Sequence, residues 1–239
     1  MSGVKMKVKS TFNTTEQQIN ARHWNPYLGI SINNKAFTVD YIYDYMDWAT
    51  QRAKECAAIV IVDILQHINN QVLGRSKPVA AIEKAFRKAD EVHQMCEEAK
   101  SRLSSDKISR LVILEWTDIM QDEYFQYNLS IIKEEYVSNK QFREALLSIT
   151  KRNLGAIVSR LNDEQVEILT QYIVNELPEL ITGFNHGGIH YNLNVYPGKI
   201  SSIYAELLEL EFFRQIHSRL GLIGEIASAE AYSQTHQAG

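Results

Sequence analysis

A serine hydroxyl placed where a β-strand gives way to a turn is exposed enough to act as a nucleophile. Gly29-Ile30-Ser31 supplies such a serine, with a glycine beside it over which a substrate can approach the backbone. Taken alone, a serine at a strand end is far more often a turn or capping residue. The hydrolase elbow G-x-S-x-G needs a second glycine, and Asn33 stands there instead. Tyr172 and Glu176 are four residues apart, so on a helix both project from one face, where a carboxylate beside a phenol can hold a substrate ammonium. The commoner reading of such a pair is an exposed Glu beside a half-buried Tyr. Tyr196 carries a hydroxyl able to relay a proton, although most tyrosines simply pack.

His186-Gly-Gly-Ile-His190 has the i,i+4 spacing of a metal pair, but two intervening glycines disfavour the helix it needs, and no nearby carboxylate or thiol completes a ligand set. Neither a metal nor another cofactor is expected: G-x-G-x-x-G and P-loop patterns are both absent. Lys77, Lys84, Arg87 and Lys88 gather on one stretch following Pro78, a run that is usually solvated surface and equally able to meet a phosphate backbone.

These residues need elements to position them. Tyr27–Ile32 reads as a short strand stopped by Asn33-Asn34. Thr38 or Asp40 caps a helix to about Lys54. Ala57–Asp63 is a continuous β-branched run, the signature of a strand buried on both faces. Pro78 opens a long polar helix to about Arg102, and Ser109–Leu114 is a third strand. Helices are expected over 118–136, 140–160 and 163–177, an irregular loop over Gly183–Gly188, a strand over His190–Tyr196 ended by Pro197-Gly198, and a last helix from Ser201 or Ser202 to about Leu220. Strands separated by helices predict one Rossmann-like α/β domain over residues 1–239, a parallel sheet flanked by helices, with flexible tails at 1–20 and 225–239. Ligands of such sheets bind beyond the carboxyl ends of the strands, where Ser31, Asp63, Glu115 and Tyr196 fall.

Composition narrows the function classes. With 45% hydrophobic and 23% charged residues the chain is ordinary globular material, and no apolar run approaches the ~18 residues of a membrane span. The basic N-terminus lacks a secretory apolar stretch, and Cys56 and Cys96 suggest neither disulfides nor zinc, so a reduced cytoplasmic protein is expected. A net charge of −4 argues against a nucleic-acid coat. Nine Lys/Arg against six Asp/Glu between Arg75 and Arg110 permit one local contact.

In combination and in order, these motifs resemble the cyclodipeptide synthases, over about Tyr27 to Leu220. The family's strand-end G-[IV]-S looks like Gly29-Ile30-Ser31, its buried strand ending in Asp looks like Val60-Ile-Val-Asp63, its Y-x-x-x-E helix looks like Tyr172-Ile-Val-Asn-Glu176, and its late strand-end tyrosine looks like Tyr196. Of its two subfamilies, one carries Asn, Tyr, His and the other a variable residue, Tyr, Pro; here Asn34, Tyr196 and Pro197 give a mixed signature, with Pro197 pointing to the second.

The resemblance implies a fold like the catalytic domain of class I tyrosyl- and tryptophanyl-tRNA synthetases, without ATP chemistry. It also implies a ping-pong joining of two amino acids, taken from two aminoacyl-tRNAs, into a diketopiperazine. Ser31 would be the nucleophile, Glu176 with Tyr172 the ammonium anchor and Tyr196 the proton relay. Gly29, Tyr27, Val60 and Trp116 would surround the first aminoacyl group, with Asn34, three residues after the serine, and Pro197, next to the late tyrosine, as further substrate-binding positions. Lys77, Lys84, Arg87 and Lys88 would contact tRNA. A monomer with no membrane or DNA partner is implied. Two alternatives stand beside it: a serine hydrolase using Ser31 with His190 or His217, and a non-catalytic tRNA-binding module.

Overall fold

The structure is a computed structural model that describes residues 6–197, Ile216 and 227–233. In chain order it contains β1 (Met6–Phe12), α1 (Glu16–Asn20), β2 (Pro26–Ser31), α2 (Val39–Arg52), β3 (Ala57–Val62), α3 (Gln66–Val72), α4 (Pro78–Ser101), α5 (Ser105–Ile108), β4 (Leu111–Glu115), α6 (Trp116–Ile119), α7 (Glu123–Ser138), α8 (Lys140–Leu154), a 3-10 turn (Gly155–Arg160), α9 (Asp163–Thr182), β5 (Phe184–His186), β6 (Ile189–Tyr191), β7 (Leu193–Tyr196) and β8 (Ala227–Ser233).

Six strands form one sheet in the order β1-β8-β7-β2-β3-β4. The five from β8 to β4 run parallel. The sheet is mixed rather than wholly parallel, because β1 joins its edge antiparallel to β8, from Met6↔Ser233 to Phe12↔Ser228. The same pairing corrects the expected tails: residues 6–12 form the edge strand and 227–233 the strand next to it, between β1 and β7. Every β3 residue is buried, as a strand between two helical layers must be.

Alternation divides the strands between those layers. Leu28, Ile30, Ile59 and Ile61 face a core shared with α2 and α4, including Trp48, Tyr45, Ala85 and Ala89. Tyr27, Ala58, Val60 and Val62 face the opposite core with Trp116, Phe125 and Phe184. Gly29 and Ser31 follow Tyr27 at steps of two and so share this second face. α9 packs over it, held between α7, α8 and α3.

Several element boundaries depart from expectation, each for a local reason. The helix expected over 140–160 ends at Leu154, because Gly155 takes a left-handed φ of 55° and breaks the ladder. The helix expected over 118–136 is two pieces, α6 and α7, the second restarted by Asp122, whose side chain accepts from the Tyr124 N–H. Helix α9 starts where expected, on an Asn162/Gln165 capping box, but runs through Pro178 to Thr182 rather than stopping at 177. The strand expected over 190–196 is interrupted at Asn192, and the irregular loop before it is the hairpin β5–β6. The helix expected over 201–220 lies outside the described residues except for Ile216, as does His217.

Candidate active site

β2 lies between β7 and β3, and its ladder with β7 spans only Pro26↔Leu193 and Tyr27↔Asn194. Beyond Tyr27 the two strands part. The crevice between them opens at the carboxyl edge, with neighbouring strands continuing to either side, which is the switch point where open α/β sheets bind ligands. Ser31 ends β2 on one side of it and Tyr196 ends β7 on the other.

The turn after β2 ties the two together. The Asn34 N–H donates to the Ser31 carbonyl at 2.9 Å, closing the turn. The Asn34 Nδ2 donates to the Tyr196 hydroxyl at 3.0 Å, and its Oδ1 accepts from the Ala36 N–H at 3.0 Å. Phe37 meets the Tyr196 ring edge-on at 5.6 Å between centroids. The phenol is thus fixed at both ends, and burial raises its pKa above the usual tyrosine value, so it is protonated at neutral pH.

α9 hangs three groups into the crevice. Tyr172, Glu176 and Glu179 are spaced i, i+4, i+7, one face of the helix. Ser31 hydrogen-bonds the Tyr172 phenol, whose pKa burial holds well above the ordinary value, with the Glu176 charge adding to the rise. One turn on, burial pushes the Glu176 carboxyl up to about 7. One turn further, burial and the neighbouring Glu176 push Glu179 to about 8. Glu179 takes an Asn194 Nδ2 hydrogen bond at 3.2 Å, and the Tyr27 hydroxyl donates to its backbone carbonyl at 3.2 Å. α9 therefore runs along β2 from Ser31 toward Tyr27.

Between these ends the floor of the crevice is missing a side chain. A Cβ built on Gly29 would meet nothing within 4 Å, and Val60 is its cross-strand partner on β3. Gly29 is needed here for space and not for a left-handed backbone. Gly29→Val should therefore fold with an unchanged melting temperature, yet lose turnover at least about tenfold by filling the cavity. Thermal denaturation beside a product assay checks both halves.

Gly183 matters differently. It stops α9 at φ 64°, and a Cβ there would lie 2.0 Å from the Tyr191 carbonyl oxygen, so only glycine lets the chain double back into the β5–β6 hairpin and deliver β7 beside β2.

The remaining sequence candidates are distributed as follows. Trp116 lies in the same cluster as Tyr27 and Val60, 1% exposed, edge-on to Phe125 at 5.8 Å, with its backbone N–H donating to Asp63 Oδ1 at 3.1 Å. Pro197 follows Tyr196 directly and is half-buried. His190, a candidate base for a hydrolase, places Nδ1 2.9 Å from Asn185 Oδ1 on the hairpin. Lys77, Lys84 and Arg87 are exposed near the start of α4, which leads from β3 toward the parallel β4 and so begins at the carboxyl edge of the sheet. Lys88 is ion-paired with Glu91 at 2.6 Å. No group of three or more metal-ligating side chains occurs among the described residues.

The residue that sequence reasoning passed over is Glu179. Its signal was present, since it continues the Tyr172–Glu176 face by three residues, but ending the helix at Pro178 hid it.

The architecture is that of the catalytic domain of class I aminoacyl-tRNA synthetases, a likeness established for a cyclodipeptide synthetase of Mycobacterium tuberculosis. That structure superposes with a TM-score of 0.68 at 15% identity, over 98% of this chain and 95% of that one. The Cyclodipeptide synthase family model matches residues 9–216, and the chain belongs to that family. Solved cyclodipeptide synthases from Staphylococcus haemolyticus (TM-score 0.70, 18% identity, 96% of this chain and 99% of that one) and Fluoribacter dumoffii (0.69, 14%, 95% and 98%) share the fold. No curated protein sequence matches significantly.

Proposed function

We propose that this protein joins two amino acids, delivered as aminoacyl-tRNAs, into a cyclic dipeptide through a seryl ester on Ser31. One observation carries the reading beyond family membership: Ser31 bonds Tyr172, the Glu176 carboxyl acts on both the Tyr172 and Tyr196 phenols, and Asn34 pins Tyr196.

An aminoacyl-tRNA ester is already activated, so transfer needs neither ATP nor a metal. Ser31 Oγ bonds to the ester carbonyl carbon, the ribose oxygen leaves, and the seryl proton departs with the tRNA. Glu176 holds the α-ammonium of the bound residue. A carboxyl raised to about 7 is also matched to accept a proton from that ammonium at neutral pH, which frees the amine to attack the second aminoacyl-tRNA ester and expel its ribose oxygen. The resulting dipeptidyl ester closes when its terminal amine attacks the seryl carbonyl. Ser31 leaves and regains a proton, for which the protonated Tyr196 phenol, held by Asn34, would serve as the relay. Tyr196-Pro197 fits the family's proline-bearing subfamily, with Asn34 doing the anchoring of the phenol.

The exposed Lys77, Lys84 and Arg87 at the start of α4 would receive the tRNA backbone; Lys88, neutralised by Glu91, contributes less. Charge reversal at Lys84 and Arg87 together should raise KM for aminoacyl-tRNA about tenfold at low salt and leave kcat unchanged, the gap narrowing as salt screens the lost contacts. An unaltered KM would place the tRNA elsewhere. The activity as a whole is tested by expressing the chain in a bacterium and analysing the medium for cyclic dipeptides by mass spectrometry. A new diketopiperazine is expected, and none in a Ser31→Ala strain.

A further inference from the structure

The inner end of the crevice holds more polar chemistry than the transfer reaction uses. Glu179 is 3% exposed and Asn194 2% exposed. Asn194 spends its Nδ2 on the Glu179 carboxylate, which leaves its Oδ1 buried without a hydrogen-bond partner. The Tyr27 hydroxyl donates to the Glu179 backbone carbonyl and lies beside its carboxyl group. No Lys, Arg or His among the described residues contributes to the charge environment of Glu179, while the neighbouring Glu176 carboxylate opposes its ionisation. A buried acid with one amide and one phenol for company, next to an amide oxygen with nothing, is incomplete as a structural motif. Each uncompensated group costs stability that an apolar side chain of similar size would not.

Both groups sit where an acylated Ser31 would send its side chain. The α-ammonium belongs at Glu176, and Glu179 lies one helical turn deeper, about 4.5 Å along the axis. A Cβ on Gly29 would meet nothing within 4 Å, and Tyr27, two residues back on the same face of β2, reaches the Glu179 carbonyl. Two carboxyls in line are complementary to an aminoacyl group that carries two positive charges, one on its α-amine and one at the end of a long side chain. We infer that Glu179, with Asn194, is the specificity determinant for the first amino acid and selects a basic side chain of lysine or arginine length. This rests on the seryl-transfer reading above and adds to it the identity of the first substrate. A cation arriving at Glu179 displaces its proton and restores the carboxylate, while its remaining N–H donors meet Asn194 Oδ1. An apolar side chain would leave both unpaired, the situation in which sites built for hydrogen bonds discriminate best.

The test uses the full-length protein and tRNAs charged separately with lysine, arginine, leucine or phenylalanine, following the aminoacyl adduct by intact mass. Lysyl or arginyl transfer is expected at least about tenfold faster than leucyl or phenylalanyl transfer. Glu179→Gln, nearly isosteric, should lower the basic transfers about tenfold at an unchanged melting temperature, and Glu179→Leu should reverse the preference. Faster leucyl or phenylalanyl transfer in the unaltered protein, or an unchanged ratio in Glu179→Gln, overturns the assignment while leaving the seryl mechanism standing. No adduct with any of these four also overturns the assignment, and no adduct when the set is extended to the other charged tRNAs overturns both.

Discussion

Ser31→Ala is expected to yield a folded protein that forms neither an aminoacyl adduct nor a cyclic dipeptide. The serine stands half-buried at the end of β2, where its side chain bonds Tyr172. Losing one such hydrogen bond costs about 1 kcal/mol, or roughly 2–4 °C of melting temperature at this chain length. The chemical loss is of another order. A covalent mechanism has no second route to the diketopiperazine once its nucleophile is gone, so product should fall at least about a thousandfold. Adduct mass, product yield and melting temperature, measured on one preparation, separate this outcome from simple unfolding. Retained product, or an adduct on the Ala variant, removes Ser31 from the chemistry.

Glu176→Gln should lower kcat/KM on the order of a hundredfold, because a buried carboxylate facing an ammonium becomes a neutral amide. Its pH dependence gives a second readout. Only the ionised carboxyl anchors the ammonium, and burial holds its pKa near 7, so kcat/KM of the unaltered protein should rise with pH through about 7. The Gln variant should lack that limb.

Stability moves the opposite way. A carboxyl raised from 4.5 to about 7 keeps its proton in the native state where the unfolded chain has lost it. Its contribution is complete below about 4.5 and disappears as pH rises through 7, with Glu179 following through about 8. The melting temperature should accordingly drop between pH 5 and 8 in the unaltered protein, and less steeply in Glu176→Gln. Equal slopes would mean Glu176 is ionised and paired already.

What could be read in the sequence was what leaves a local trace. The β-branched run of β3 declares a strand buried on both sides, Asn33-Asn34 declares the turn after Ser31, and Pro78 declares the start of α4. Their alternation with helices was enough for the parallel core and for putting Ser31 and Tyr196 at one edge. The antiparallel β1–β8 edge was missed: Met6-Lys-Val-Lys does alternate apolar with charged residues but over only four positions, and Ala227-Ser-Ala-Glu has small residues where a strand signal needs branched ones.

At the site, the Tyr172–Glu176 face followed from helical spacing alone. The Asn34–Tyr196 bond did not, because 162 residues of chain separate its partners and only the early parting of β7 from β2 brings them together. Glu179 was lost to a rule that is usually sound: proline ends a helix. Here Pro178 is buried in the packed face of α9 and tertiary contact outweighs the missing N–H.

Mixing the unaltered protein with a single species of aminoacyl-tRNA, quenching in acid within one turnover and mapping the peptides by mass spectrometry tests the covalent step most directly. An aminoacyl mass on the peptide carrying Ser31, chased into cyclic dipeptide on addition of fresh aminoacyl-tRNA, is the expected result. Cyclic dipeptide appearing with no enzyme-bound species, or the acyl group recovered on a different residue, would contradict it.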